Sequence, residues 1–286
     1  MILTAPTPWQ AALDLLRGRE LLPTTLSAQQ LEAVGAELRR GAMFSARVQN
    51  ASVLQRALDL VGQIADPTTT GQTPGSYMDR ARAREEMRKL LAGIGYSAEA
   101  EGVTPGSLRD LTSEGRLNLI VDTNVEMLQG QARAVQGNDP DLLDAFPCME
   151  LVRLSNWSAV SRGTARNWPQ RWADGGGKFY AGRMIARKDD PVWTDPAFNR
   201  FGQPWAPFDY NSGMGTRDIA RAEAVRLGVM QLREPPPAVR PLREVAGIRP
   251  QASVASLDPQ VQRSLADALG NAFEIADGVL REKGGQ

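Results

Sequence analysis

Five of the six tryptophans of this chain, Trp157, Trp168, Trp172, Trp193 and Trp205, fall in one stretch that glycine and proline interrupt too often for a long helix to run through it. The apolar runs there and just before it are short, Leu151-Val152-Arg153-Leu154 and Met184-Ile185-Ala186. Runs of that length between turn residues predict a small sheet with long connections, packed around an aromatic core. Trp168 and Trp172 stand four apart with Arg166 and Arg171 beside them, which predicts a short helix burying both rings on one face. Interleaved rings and arginines also suit a single-stranded nucleic-acid platform, where bases stack on the rings and arginines hold phosphates. Solvent exposure of the rings separates the two readings, and burial is the expectation.

The N-terminal third is helical in pattern. Ser27 and Gln30 form a capping box, Leu26 is placed to staple onto Leu31, and the face continues through Val34 and Leu38. After Gly41 a second periodic run, Phe44, Val48, Leu54, Ala57, Leu58, Val61 and Ile64, predicts more helix up to Asp66-Pro67. Thr68 to Gly75 has loop composition, and Met78 to Leu91 is charged and helical. From Thr104 and Pro105, a cap with proline at the first position, a further helix is expected to carry Leu108, Leu111, Leu117, Ile120, Asn124 and Met127. Thr123 and Asn124 then lie on or beside its buried face and need hydrogen-bond partners, since leaving them unmet costs on the order of 1–3 kcal/mol. A neighbouring loop's backbone is the expected partner of Asn124.

At the other end, Glu234-Pro235-Pro236-Pro237 through Pro241 reads as a stiff polyproline connector. Asp258-Pro259 then caps an expected helix with Val261, Leu265, Ala268, Leu269, Ala272, Ile275 and Val279 on one side, a stripe that must dock on something. The fold expected is therefore α+β: a helical region over 1–66, a mixed central domain over 67–230, a proline-rich linker over 231–257 and an amphipathic helix over 258–286.

Composition narrows the chemistry. A length of 286 residues, 42% of them hydrophobic, suffices for one large core or two small ones. No apolar run is long enough to span a bilayer, and the start lacks the basic region of a signal peptide, so a soluble, cytoplasmically made chain is expected. Cys148 is the sole cysteine and histidine is absent, which removes disulfides, thiolate and imidazole metal sites, and histidine-based nucleophile triads. The net charge is zero, yet residues 99–150 are acidic and 153–200 basic. Those halves either pack against one another or offer the basic one to nucleic acid or an acidic partner.

Three enzyme motifs fail on inspection. Gly175-Gly176-Gly177-Lys178 has Trp172 where a phosphate loop needs its first glycine and Phe179 where it needs a hydroxyl, so it reads as a flexible turn. Gly213-Met214-Gly215 has Asp218 where a dinucleotide fingerprint needs a third glycine. Cys148 has no base to activate it and reads as a small buried side chain. Asp189-Asp190, Asp209 and Glu223 remain as carboxylates, which is weak evidence among 33 acids. No cofactor and no metal site are expected.

A longer string is more specific. Arg166-Asn167-Trp168 and Arg171-Trp172 precede the triple glycine; Arg200-Phe201-Gly202-Gln203-Pro204-Trp205-Ala206-Pro207-Phe208-Asp209-Tyr210-Asn211-Ser212-Gly213-Met214 follows, and then Arg221-Ala222-Glu223-Ala224. With Phe44-Ser45-Ala46-Arg47 and Asp122-Thr123-Asn124, this string resembles the head-morphogenesis (minor head protein, Mu F-like) family of tailed phages, from about Pro23 to Gly228. The resemblance implies a non-enzymatic minor capsid protein, made in the bacterial cytoplasm and carried inside the virion head. Its implied partners are the portal protein and capsid or scaffolding subunits, with non-specific contact to packaged DNA and none to membrane. Relatives carry histidine before the loop and cysteines near its end, whereas Ser212 and Gly213 stand here and no histidine exists, so their metal or thiol chemistry is not carried over. The alternatives are an enzyme domain, ADP-ribosyltransferase-like or acting on nucleic acid, and a sequence-neutral DNA-binding accessory. Pro204, Pro207, Asn211 and Gly213 are expected to shape a rigid loop packed on the Thr123-Asn124 helix.

Overall fold

Apolar residues recurring at helical spacing build the first part of the molecule, and a computed structural model describes residues 16, 19–27, 31, 42–65, 78–154, 167–210, 212–240, 252–253, 273–276 and 279–282. The chain divides into two units, residues 1–129 with 246–286, and residues 130–245. With both helices and a small antiparallel sheet, the class is α+β.

In the first unit, β1 (Glu20–Leu21) pairs in parallel with β2 (Ala42–Met43). Helix α1 (Ala51–Ala65) buries Val53, Leu54, Ala57, Leu60 and Val61, and α2 (Arg80–Gly93) buries Ala83, Met87 and Leu91. Asp79 caps α2 by accepting the Arg82 amide at 2.8 Å. Helix α3 (Glu114–Gln136) buries Leu117, Ile120, Val121, Val125 and Leu128, and the boundary between the units falls within it.

Two expected helices begin later than their periodicity suggests. Phe44 to Val48 is not helical: Arg47 sits at φ 59°, and α1 starts only after Asn50, whose side chain accepts the Ser52 amide at 2.9 Å. Left-handed backbone at Arg47 cannot propagate a helix. Thr104-Pro105 likewise opens a turn, because Gly106 lies at φ 77° and Asp110 gathers the amides of Gly106 and Thr112 at 2.8 and 2.9 Å. Leu108, assigned to the buried stripe, is 62% exposed. The helix expected from Ser27 lies outside the described residues, except that the Leu31 amide donates to the Ser27 carbonyl at 3.0 Å.

The C-terminal expectation needs correcting where it can be seen. Residues within the predicted 258–286 helix instead form β8 (Phe273–Ala276) and β9 (Val279–Glu282), antiparallel to one another, with β9 also pairing β7 (Ala252–Ser253). Asp277-Gly278 separates the two strands in sequence, a dipeptide that favours tight hairpin connections and disfavours helix. The start of the expected helix, 258–272, lies outside the described residues.

The second unit carries a four-stranded antiparallel sheet in the order β4-β5-β3-β6. Its strands are β3 (Cys148–Arg153), β4 (Phe179–Tyr180), β5 (Arg183–Arg187) and β6 (Met214–Ile219). Ala181 at φ 50° and Gly182 at φ 76° make the two-residue turn of the β4–β5 hairpin, both left-handed as such a turn requires. Alternation along the strands divides the core. One face carries Leu151, Ala186 and Met214 against the aromatic cluster, and the other carries Cys148, Ile185 and Ile219 against Ala224 and Met230. Short helices α4 (Pro140–Ala145), α5 (Trp168–Asp174) and α6 (Arg221–Arg226) complete the unit.

The proline segment is not a free arm. Glu234 accepts Arg187 at 2.7 Å through its carboxylate and Arg221 at 2.9 Å through its carbonyl. Arg240 exchanges two hydrogen bonds with Asn138, at 2.7 and 2.9 Å, and donates to the Lys188 carbonyl at 3.0 Å. Residues 234–240 are thus bound down along the second unit, because polyproline leaves its carbonyls unpaired and available to arginine. Residues 241–251 lie outside the described residues.

Candidate functional site

The aromatic cluster is built on α5. Asn167 caps it by accepting the Gln170 amide at 3.1 Å, Pro169 suits its first turn, and Trp168 and Trp172 then point inward at 3% and 0% exposure. Trp172 meets Trp193 and Phe198 edge-on, with centroids 5.1 and 5.3 Å away, and Phe198 lies 4.9 Å from Phe208. Each buried indole nitrogen finds a carbonyl: Trp172 donates to Lys178 at 2.9 Å and Trp193 to Arg187 at 2.7 Å. Rings enclosed in this way cannot stack on bases, so the nucleic-acid platform is not what this cluster forms. Gly177 donates its amide to the Trp172 carbonyl at 2.8 Å, and a Cβ there would sit 2.4 Å from the indole, so the glycine run is a packed helix end and not a flexible turn.

The loop between Trp193 and Met214 is fixed by three buried polar side chains. Asn199 donates to the carbonyls of Trp193 and Gln203 at 2.6 and 2.5 Å and accepts the amides of Phe201 and Gly202 at 2.9 and 3.1 Å. Gly202 has φ 68°, the left-handed backbone that an asparagine-centred turn of this kind uses. Gln203 donates to the Pro207 carbonyl at 3.2 Å. Asp209 accepts Arg171 at 2.9 Å and Arg200 at 3.4 Å, while Arg171 also donates to the Phe198 carbonyl at 2.7 Å and covers the Trp168 ring at 4.5 Å. Phe201 packs edge-on against Tyr210 at 4.7 Å. The Ala206–Pro207 bond is cis. Ser212 accepts the Met214 amide at 3.2 Å, and Gly213, at φ 64°, passes its carbonyl to the Leu154 amide at 2.9 Å, starting the β3–β6 ladder. The positions where relatives carry cysteines therefore serve backbone geometry here.

On the opposite face of the sheet lies an ionic network. Glu150, in the middle of β3 and 7% exposed, accepts Arg183 at 2.9 and 2.7 Å and also Arg217. Arg183 reaches on to Glu223 at 2.8 Å. The Arg183 hydrogen bonds hold the Glu150 carboxyl below its usual value; burial pushes the other way, and Arg217 adds to the lowering. A carboxyl depressed by folding stabilises the fold above its unfolded value, near 4.5, and that contribution is lost as pH falls through the folded value. The urea midpoint followed by tryptophan fluorescence, which among described rings reports on the second unit, should therefore fall as pH drops below about 4.5. Glu150→Gln should lower the midpoint at pH 7 and flatten its pH dependence; an unchanged slope would contradict the role given to this carboxyl.

Carboxylates that looked chemical in sequence are structural in place. Asp189 is held by two hydrogen bonds from Arg187, both 2.9 Å, whereas its neighbour Asp190 caps a 3-10 turn by accepting the Val192 amide at 2.9 Å. They do not form an acid pair. Burial pushes the Cys148 thiol up to about 11, the opposite of nucleophile activation. Among the described residues no group of three or more acids and cysteines is placed to hold a metal ion, and no helix is long and apolar enough to cross a membrane.

Thr123 and Asn124 sit elsewhere, in the first unit. Asn124 donates to the Ile120 carbonyl at 2.7 Å and accepts Arg19 at 3.2 Å, so its partners are its own helix and a guanidinium, not a loop backbone. Arg19 is buried, which pulls it down to about 10. Thr123 is 8% exposed, and its hydroxyl has no hydrogen-bond partner among the described residues. Two turns earlier, Arg116 donates to Ser45 and to the Ala46 carbonyl, both at 2.6 Å, which ties the Phe44-Ser45-Ala46-Arg47 stretch to α3. The proline loop does meet α3, but at Gly130, where a Cβ would lie 1.8 Å from the Ala206 carbonyl oxygen. Asn211 and Arg166 lie outside the described residues.

Trp168, Arg171, Trp172, Phe201, Gly202, Pro207, Phe208, Ser212, Gly213 and Met214 thus belong to one unit and largely to one packed assembly, with Pro204 at its margin and Glu223 across the sheet. Sequence reading missed Asn199, Gln203, Gly130 and the Glu150 network. An acid between apolar neighbours in Cys148-Met149-Glu150-Leu151-Val152 was the available signal for the last of these. No family model, curated protein or solved structure matches the chain.

Proposed function

We propose that this chain is a minor head protein of a tailed phage, a structural component of the particle that acts in head morphogenesis near the portal vertex. The observation that carries the reading is where the signature residues lie. The tryptophans, arginines and proline-loop residues of the resemblance are joined in one aromatic and hydrogen-bonded assembly, and the acids beside them are engaged by arginine or by backbone amides. A motif used for architecture fits an assembly component better than a catalyst, which needs a carboxylate or nucleophile left open to substrate. The portal, capsid or scaffolding subunits are the partners of this reading, and the virion interior is its location.

The test is complementation of a null allele in the phage or prophage that encodes the chain. Asp189→Ala, Asp190→Ala and Glu223→Ala should support infectious particles in proportion to the folded protein each variant supplies. A Glu223→Ala protein that folds, enters particles normally and leaves them non-infectious would instead reveal a catalytic role at that carboxylate.

A further inference from the structure

The outer edge of β6 carries an unmet demand. The Leu154 amide bonds the Gly213 carbonyl, and the β3–β6 register then makes Val152–Gly215 and Glu150–Arg217 the bonded pairs. Between them, Thr216 and Asp218 turn their backbone donors and acceptors away from β3. Since β6 ends the sheet, those groups leave it sideways, and no hydrogen bond to them is present among the described residues. Edge strands of soluble proteins are usually short, covered or blocked by charge, because an open one pairs with other chains.

Alongside this edge runs a half-open cleft of about 290 Å³, wholly within the second unit. Ala134 of α3, Leu142, Met149, Leu154 and Trp205 supply apolar wall, and Thr216 itself lines it. Leu142 and Leu154 are 41% and 63% exposed, large apolar side chains left in water at the cleft's border. Its charge is lopsided. Arg133, Lys188 and Arg240 line it against Asp189 and Asp218, and both acids are already ion-paired, with Arg187 and Lys188, at 2.9 Å each.

We propose that the β6 edge and this cleft receive an extended segment of another protein as a fifth strand, with apolar side chains entering the cleft and acidic ones meeting its basic lining. The open backbone groups require an occupant with its own strand backbone, the wall selects apolar residues at alternate positions, and the surplus of cations selects acids. The inference does not depend on the particle assignment.

The full-length protein can be tested with a synthetic peptide of alternating valine and glutamate, by calorimetry and by hydrogen exchange. Binding should slow exchange of the Thr216 and Asp218 amides on the order of tenfold or more. A valine–lysine peptide should bind more weakly. Thr216→Pro removes only an outward-facing amide, a position where an edge strand tolerates proline, and should abolish binding. If that variant fails to fold, the same peptide N-methylated on alternate residues tests the point from the ligand's side and should not bind the unmodified protein. Absence of binding, or equal binding by the N-methylated peptide or by folded Thr216→Pro, overturns the proposal. So does protection of these amides without peptide, whether independent of concentration, from the chain's own segment, or rising with it, from a second copy.

Discussion

Trp172→Ala is expected to destabilise the second unit by about 3–5 kcal/mol, the range for emptying a tryptophan-sized site in a packed core. The ring is fully buried, meets Trp193 and Phe198 edge-on, and satisfies its own indole nitrogen on the Lys178 carbonyl. Deleting it leaves a void ringed by aromatic groups that cannot collapse without moving α5 off the sheet, and it strands a carbonyl. Urea denaturation followed by fluorescence of the remaining tryptophans reads the loss, and near-UV circular dichroism should weaken even in the surviving native state. A loss below about 1 kcal/mol, typical of surface substitutions, would mean that the ring is not a core element.

Gly130→Ala should be as damaging for the opposite reason. An added methyl inside a helix ordinarily gains up to about 1 kcal/mol over glycine. Here the Cβ would fall 1.8 Å from the Ala206 carbonyl oxygen and 2.9 Å from the Trp205 ring. The first of these is backbone, in a loop held by Asn199 and Gln203, so it has no rotamer by which to retreat. Overpacking of this kind costs typically 1–3 kcal/mol, and contact with fixed backbone places Gly130 at or above about 3 kcal/mol. Gly93→Ala, at the end of α2 with nothing within 4 Å of its Cβ, is the control and should be neutral or stabilising. Equal behaviour of the two variants would show that the loop does not press on α3.

The contrast between those glycines also indicates what sequence could disclose. Periodicity located α1, α2 and most of α3, and the short apolar runs located β3 and β5, because burial of one face imposes those spacings wherever the element sits. Where elements begin was less visible, since the left-handed backbone at Arg47 and Gly106 overrides an apolar pattern that runs straight past it. The C-terminal stripe misled because Phe273, Ile275 and Val279 satisfy a loose helical template while Asp277-Gly278 favours a hairpin. Proline content suggested an arm at Pro235–Pro237, yet what decides is where Arg187, Arg221 and Arg240 lie in space. The same holds for Glu150, whose arginine partners come from 33 and 67 residues away.

The central claim, that this chain is a structural head component, is tested most directly by quantitative mass spectrometry of purified particles. Full virions and empty procapsids from the phage or prophage encoding the chain would be compared with the soluble fraction of the same lysate. The account predicts the protein in both particle types at a fixed, low ratio to the major capsid subunit. A protein confined to the soluble fraction, with particles assembling normally without it, would contradict the assignment.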